Sequence, residues 1–243
     1  MTGGVCRSWW SPEAGIGTNG ETGSVPDQRS FRRPDVESTL GGEGLLRPAA
    51  AAHALVSDGR ARTVVLVEGV SDQVALEALA ERRGLNLDAA GAHVVSMGGV
   101  TNIRGFLEMF GPRGSGVRLA GLYDAGEEDD VRRGFELAGY GSGLSRADLA
   151  SLGFEVCVAD LEDELIRAIG TGAVERVLAT EGELGSFRTF QMQPAWRART
   201  VAEQLRRFMG TRSGRKIRYA RLLVDALDLT RVSSPLDRVL THI

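Results

Sequence analysis

TVVLVEG, residues 63–69, is a β-branched, apolar run closed by Glu68 and Gly69. No polar residue alternates through its middle, so it predicts a short strand buried on both faces. SDQVALEALAERRG, 71–84, follows, with Val74, Leu76, Ala78 and Leu79 at helical spacing, Ser71 as a candidate N-cap and Gly84 as terminator. The same change of period then recurs three times along the chain. AHVVSMGG (92–99), VRLAGLYDAG (117–126) and LGFEVCVAD (152–160) read as strands. TNIRGFLEMFG (101–111, capped by Thr101 or Asn102), EEDDVRRGFELAG (127–139) and LEDELIRAIG (161–170) read as helices. Strict alternation implies parallel strands joined by right-handed crossovers, hence a Rossmann-like α/β fold of about four strands over 61–170.

Outside that block the composition changes twice. Residues 1–60 are rich in Gly, Ser, Pro, Glu and Arg without a sustained apolar period. They are expected to be disordered, Trp9 and Trp10 included, apart from a short helix in LLRPAAAAHALV at 45–56. Residues 171–243 read as a helical extension through GAVERVLATEGEL, RTVAEQLRRFM, GRKIRYARLLVDALDL and PLDRVLTHI, each with an apolar stripe.

The whole chain has 243 residues, is 42% hydrophobic and carries a formal charge of −3, enough apolar content for a real core. No apolar run approaches the ~20 residues that cross a bilayer, and the first fifteen residues lack a signal-peptide layout. A soluble cytoplasmic protein without membrane contact is expected. Cys6 and Cys157 cannot build a disulfide framework or a four-thiolate zinc site, and His53, His93 and His242 are scattered. Cys157 reads as a small buried hydrophobe and His93 as structural. Lys216 is the single lysine, so no Gly-Lys pair exists for a phosphate-binding P-loop, and GPRGSG at 111–116 is a loop. No ATPase motif is therefore expected in the chain itself.

The modest net charge hides a segregation. Residues 121–164 hold twelve acids against three arginines, whereas residues 188–221 hold ten bases against the single acid Glu203. Such a split suits a protein that gathers divalent cations in one place and a polyanion in another.

Three strands end in acids: Glu68 with Asp72 one turn on, Asp124 with Glu127 and Glu128, and Asp160 with Glu162, Asp163 and Glu164. Open parallel sheets bind ligands beyond the carboxyl ends of their strands. Should strands one, three and four be neighbours, these carboxylates converge and repel, unless a hard divalent cation neutralises them. Acids in first helical turns also act as caps and dipole partners, a role that suits Asp72 and Glu128. Glu68 is different, because an acid at the end of a buried strand is costly without a partner.

LVEGVSDQVALEALAERRG, VVSMGGVTNI, LAGLYDAGEEDD and VCVADLEDELI together resemble the Toprim domain, in particular that of the OLD-type (overcoming lysogenization defect) ATP-dependent endonucleases. The resemblance implies a compact parallel sheet, one or two Mg²⁺ or Mn²⁺ ions, and nicking or cleavage of DNA by a nucleotidyl transferase or hydrolase. It matches Glu68 to the first-strand glutamate, Asp72 to the second acid of an E-x-x-x-D/E motif, Asp124 to the first aspartate of D-x-D, and Glu162 to a downstream acid, with Asp160 beside it. It departs at Asp124-Ala125-Gly126, where the second aspartate is missing and Glu127 or Glu128 would substitute. Glu68, Asp72, Asp124, Glu128, Asp160 and Glu162 form the implied ligand set, with Glu68 also a candidate general base. For Lys216 the resemblance implies the late basic role near the scissile phosphate. Implied partners are DNA, a separate ABC-type ATPase and a second copy of the chain.

TRSGRKIR (211–218), read as an exposed turn, makes Arg212, Arg215, Lys216 and Arg218 the candidate phosphate contacts. Among the interleaved aromatics, Phe187, Phe190, Trp196, Phe208 and Tyr219 read mainly as helical core, with base stacking as the other use. The resulting expectation is a metal-dependent phosphodiesterase acting on DNA. The alternative is a degenerate Toprim module that binds nucleic acid or a partner ATPase without turnover. A small-molecule phosphotransfer or nucleotide-binding protein ranks third, since no G-x-G-x-x-G follows strand one.

Overall fold

β1 (Thr63–Val67) is buried at every position, as its uninterrupted apolar run requires. The structure, a computed structural model, describes residue 50, residues 53–54 and residues 56–243. The tail expected to be disordered and the paired tryptophans lie outside the described residues, as does most of the 45–56 helix; residues 53, 54, 56 and 57 are helical.

After β1 come α1 (Val70–Arg82), a one-turn α2 (Leu87–Ala90), β2 (Ala92–Ser96) and α3 (Ile103–Phe110). β3 (Arg118–Asp124), α4 (Glu128–Leu137), α5 (Arg146–Ser151), β4 (Phe154–Cys157) and α6 (Leu161–Ile169) complete the α/β part. Five further helices follow: α7 (Thr171–Thr180), α8 (Leu184–Gln191), α9 (Val201–Met209), α10 (Ser213–Asp225) and α11 (Ser234–Thr241). The four strands pair in parallel in the order β2-β1-β3-β4. The expected α/β class therefore holds, and β1, β3 and β4 are neighbours.

Side chains alternate across the sheet and build two cores. Val64 and Leu66 join Phe106, Phe110, Phe135 and Phe154 on one face. Val65 and Val67 join Leu76 and Leu79 of α1, Leu165 of α6, and Phe187, Phe208, Tyr219 and Leu223 of the later helices on the other. Residues 171–243 thus share one hydrophobic core with the sheet. Gly121 of β3 allows the tight packing between strands: a Cβ there would lie 2.7 Å from both the Leu66 carbonyl oxygen and the Phe154 ring.

α10 is clasped to α1. Arg82, at the end of α1, donates to the C-terminal carbonyls of α10 and its exit, Val224 and Leu227, and Arg221 pairs with Glu81 at 2.6 Å. This contact matters for function because α10 carries Lys216. Of TRSGRKIR, Thr211 and Arg212 lie in an exposed turn as expected, whereas residues 213–218 form the first turns of α10.

The helix caps also differ from expectation. Gly69 is the N-cap of α1, and its N–H donates to Asp72 Oδ2 at 2.9 Å; Ser71 is buried inside the first turn. Asn102, one of the two residues expected there, holds the N-cap position of α3, but its side chain donates to the Met97 carbonyl at 2.9 Å and makes no cap hydrogen bond.

Candidate metal centre

The register fixes where the acids end up. Leu66 pairs with Gly121 and Asp124 with Cys157, so Glu68, Asp124 and the β4–α6 turn at Asp160 share one carboxyl-end rim. The Glu68 carbonyl is held from β2 and the turn after it, accepting from Gly99 N–H at 3.1 Å and Ser96 Oγ at 3.4 Å. That anchorage leaves its side chain to face the rim.

A 3₁₀ turn, Ala125–Glu127, leaves Asp124 and brings Glu127 back over it. One carboxylate oxygen from each of Glu68, Asp124 and Glu127 lies within 4.8 Å of the others. Glu127 thus occupies the place left open by Gly126. Its neighbour Glu128, expected as the ligand, is turned away: it pairs with Arg132 and Arg146, whose hydrogen bonds hold its carboxyl below the usual range.

The charges at the rim are frustrated. Burial raises the Asp124 carboxyl to about 8, with Asp160, Asp72, Glu68 and Glu127 adding to the rise. Burial and then Glu68 raise Glu127 to about 7. Asp72 is raised by burial, against the pull of Lys216 and the Gly69 N–H. Glu127 Oε2 is buried without a hydrogen-bond partner.

Glu162, only 4% exposed, enters from α6. Lys216 Nζ reaches across from α10 to 3.3 Å from Glu162 Oε2, close enough for an ion pair, but the approach leaves both Glu162 oxygens without an aligned donor. Burial carries Glu162 up to about 7 even though Lys216 opposes it. Lys216 itself is held above its ordinary value: burial works against the charge, and Glu162 and Asp72 outweigh it. Asp160 is more committed. One oxygen accepts from the Asp163 N–H as the N-cap of α6, and the other pairs with Arg206.

The remaining acids and bases of the expected sets divide between buried braces and exposed groups. Glu164 accepts from Val158 N–H at 2.9 Å and braces the β4–α6 turn. Arg215, expected on nucleic acid, is buried: it donates to the Phe208 carbonyl, lies 4.1 Å over the Phe208 ring and pairs with Glu183 at 2.8 Å. Arg218 also pairs with Glu183, at 2.8 Å. Arg212 is exposed, with no ion pair among the described residues. Cys157 is buried, and burial pushes its thiol up, as befits a core side chain.

Residues 61–125 match the family model for the Toprim domain of overcoming lysogenization defect (OLD) protein-like chains. This segment is an OLD-like Toprim domain. The solved C-terminal region of the Burkholderia pseudomallei OLD protein is similar over 75% of this chain and 96% of its own, with a TM-score of 0.59 and 22% identity. That of the Xanthomonas campestris pv. campestris OLD protein gives a TM-score of 0.58 and 25% identity over 75% of this chain and 92% of its own. Among curated proteins, none matches the chain. The fold of the Toprim domain together with its helical extension is thus that of the OLD C-terminal region. An all-carboxylate donor set with an orphaned buried oxygen fits a hard divalent cation. Among the described residues no helix is long and apolar enough to cross a membrane.

A pH dependence follows from the crowded acids. Asp124, Glu127 and Glu162 hold protons in the folded, metal-free protein up to about 8, 7 and 7, whereas in the unfolded chain they ionise near pH ~4. Between these limits the folded state binds more protons, so stability falls as pH rises from about 4 to 8. A dication that binds the ionised carboxylates reverses the loss. The rise in melting temperature on adding Mn²⁺ is therefore expected to be larger at pH 8 than at pH 6. Each kcal/mol is worth about 2–4 °C for a chain of this size. An equal rise at both values would deny that these acids bind the ion.

Proposed function

We propose that the chain is a divalent-metal-dependent phosphodiester hydrolase that nicks or cleaves DNA. The observation that carries this reading is the convergence of Glu68, Asp124 and Glu127 on one point, in a rim whose repulsion Lys216 and Arg206 offset only in part. Glu68, Asp124 and Glu127 would hold one Mg²⁺ or Mn²⁺ ion. Glu162, with Asp72 and Asp160 beside it, offers carboxylates for a second. What such ions supply when bound is Lewis acidity toward a phosphoryl oxygen and a water of lowered pKa.

The chain's own groups do the rest. Lys216 and Arg206 place positive charge at the rim, where it offsets the acids and holds an incoming phosphate. Asp72, tied to the Gly69 N–H, keeps the β1–α1 turn in place behind Glu68. Glu68 is the candidate to accept a proton from water. A separate ABC-type ATPase and a second copy of the chain are the partners the family likeness supports.

The competing reading, a Toprim module without turnover, draws on the missing second aspartate. The Glu127 carboxylate in the cluster favours the active reading. Supercoiled plasmid incubated with the purified chain separates the two. Conversion to open circles in Mn²⁺ or Mg²⁺, absent in EDTA and lost in Glu68→Gln, is expected. Salt-sensitive DNA binding with no conversion in either metal would establish the inactive module instead.

A further inference from the structure

Beside the rim lies an open cleft of about 550 Å³, lined by Asp160 and Glu162 and by residues of the helical segment that pair with them, Arg206 and Lys216. Trp196 and Arg199, from the loop between α8 and α9, line it together with Arg207 and Lys216. Trp196 differs from the other aromatics of this region. Phe187, Phe208 and Tyr219 are buried, whereas Trp196 is only partly so. Its ring stacks on Phe190, centroids 5.4 Å apart at 27°, and its remaining surface contributes to the cleft wall.

The loop is also built to hold that ring still. Gln204 is 5% exposed. Its side-chain N–H groups donate to the Trp196 carbonyl at 2.8 Å and the Arg199 carbonyl at 3.1 Å, and its oxygen accepts from Gln191 at 2.6 Å. A buried amide is tolerated only when its donors and acceptor are satisfied, and here both donors are spent on one exposed loop. Arg207 has no ion pair among the described residues, and Arg199 makes only a 3.5 Å exposed pair with Glu203. An aromatic side chain held in place, an uncommitted guanidinium and the Asp160–Glu162 end of the acidic rim thus share one cleft.

An aromatic platform with flanking cations is the combination that binds single strands: every base has a face to stack, and phosphates supply the charge. In a duplex both faces of each base are already stacked, so only an unpaired or extruded nucleotide can use the platform. We propose that Trp196 stacks an unpaired nucleobase beside the scissile phosphate, with Arg207 and Arg199 on the flanking phosphates, so that the chain selects single-stranded or locally opened DNA. The placement of the scissile phosphate rests on the hydrolase reading above; the stacking itself does not.

The test uses the full chain in Ca²⁺ with a single-stranded oligonucleotide containing 2-aminopurine and with a blunt duplex of the same sequence. Wild type and Trp196→Phe are expected to quench the probe on binding. Trp196→Leu, which keeps an apolar side chain over Phe190 but cannot stack, is expected not to quench. It should bind the single strand about tenfold more weakly, with duplex affinity changed less than about twofold. Arg207→Gln, an exposed change that leaves the core intact, is expected to reduce the salt slope of single-strand binding by about 0.7. Quenching by Trp196→Leu equal to wild type, equal losses on single strand and duplex, or an unmoved slope in Arg207→Gln would each overturn the proposal. Because binding is read without turnover, an inactive hydrolase would leave these outcomes intact. Conversely, persistent nicking by a Trp196→Leu variant that binds single strands normally would remove the platform alone.

Discussion

Asp124→Asn is expected to abolish metal-dependent nicking while making the metal-free protein more stable above neutral pH. Asp124 stands at the centre of the rim: Asp160, Asp72, Glu68 and Glu127 all act on it, and together with burial they raise it to about 8. Asparagine keeps the volume and the end of β3 but contributes no charge. Removing one of three converging carboxylates should cost about a thousandfold in rate, equivalent to ~4 kcal/mol of barrier. The stability effect has the opposite sign. Below pH ~4 this aspartic acid is neutral in both the folded and the unfolded wild type, so the two proteins should melt alike. As pH rises from about 4 to 8 the unfolded wild type ionises here while the folded state still holds its proton, so the wild type loses stability that the variant keeps, and the variant should melt higher, with the full difference reached near pH 8. Added Mn²⁺ should then raise the melting temperature of the wild type more than that of the variant. Opposite signs in the two measurements distinguish a lost ligand from a damaged fold, which would lower both. A variant that nicks as fast as wild type, or melts lower at pH 8, would refute this account of the rim.

Much of this geometry is legible in the sequence because it depends on periodicity. A strand such as TVVLV, apolar at nearly every position, has nowhere to go but the middle of a sheet, and acids that close three such strands share the carboxyl edge once the strands are parallel and adjacent. Strand order is not set by period, yet it decides whether the acids meet. The ambiguous points are those where adjacent residues compete. Glu127 and Glu128 are equivalent by composition. The 3₁₀ turn at Ala125–Glu127 selects the first, and Arg132, four residues along the same helix face, takes the second. That i,i+4 pairing was the available signal. Arg215 and Lys216 pose the same problem on α10. Arg215 lies four residues before the buried Tyr219 on one apolar stripe and is drawn inward to Phe208, which turns Lys216 toward the rim. The short helices α2 and α5 are not legible because four to six residues carry too little period to stand out.

Lys216→Gln is the second change with a large expected effect. Lys216 is brought to Glu162 by the packing of α10 on α1 and is the single lysine of the chain. Its ammonium offsets the burial that pushes Glu162 to about 7. Without it, the Glu162 carboxyl should hold its proton to higher pH, and the rim should lose a cation for the phosphate. Nicking is expected to fall about a hundredfold, comparable to the loss of one oriented charge-stabilising donor. Its acidic limb should also move to higher pH, because a protonated Glu162 cannot serve as a ligand. Lys216→Arg should recover part of the rate and most of the pH profile, since the charge returns on a bulkier, planar head. The two roles of the lysine separate in the double variant Lys216→Gln/Glu162→Gln. If neutralising Glu162 is its main task, the double variant should be no slower than Glu162→Gln alone; if phosphate contact dominates, the losses should multiply. An unchanged rate and pH profile in Lys216→Gln would place the lysine outside the chemistry.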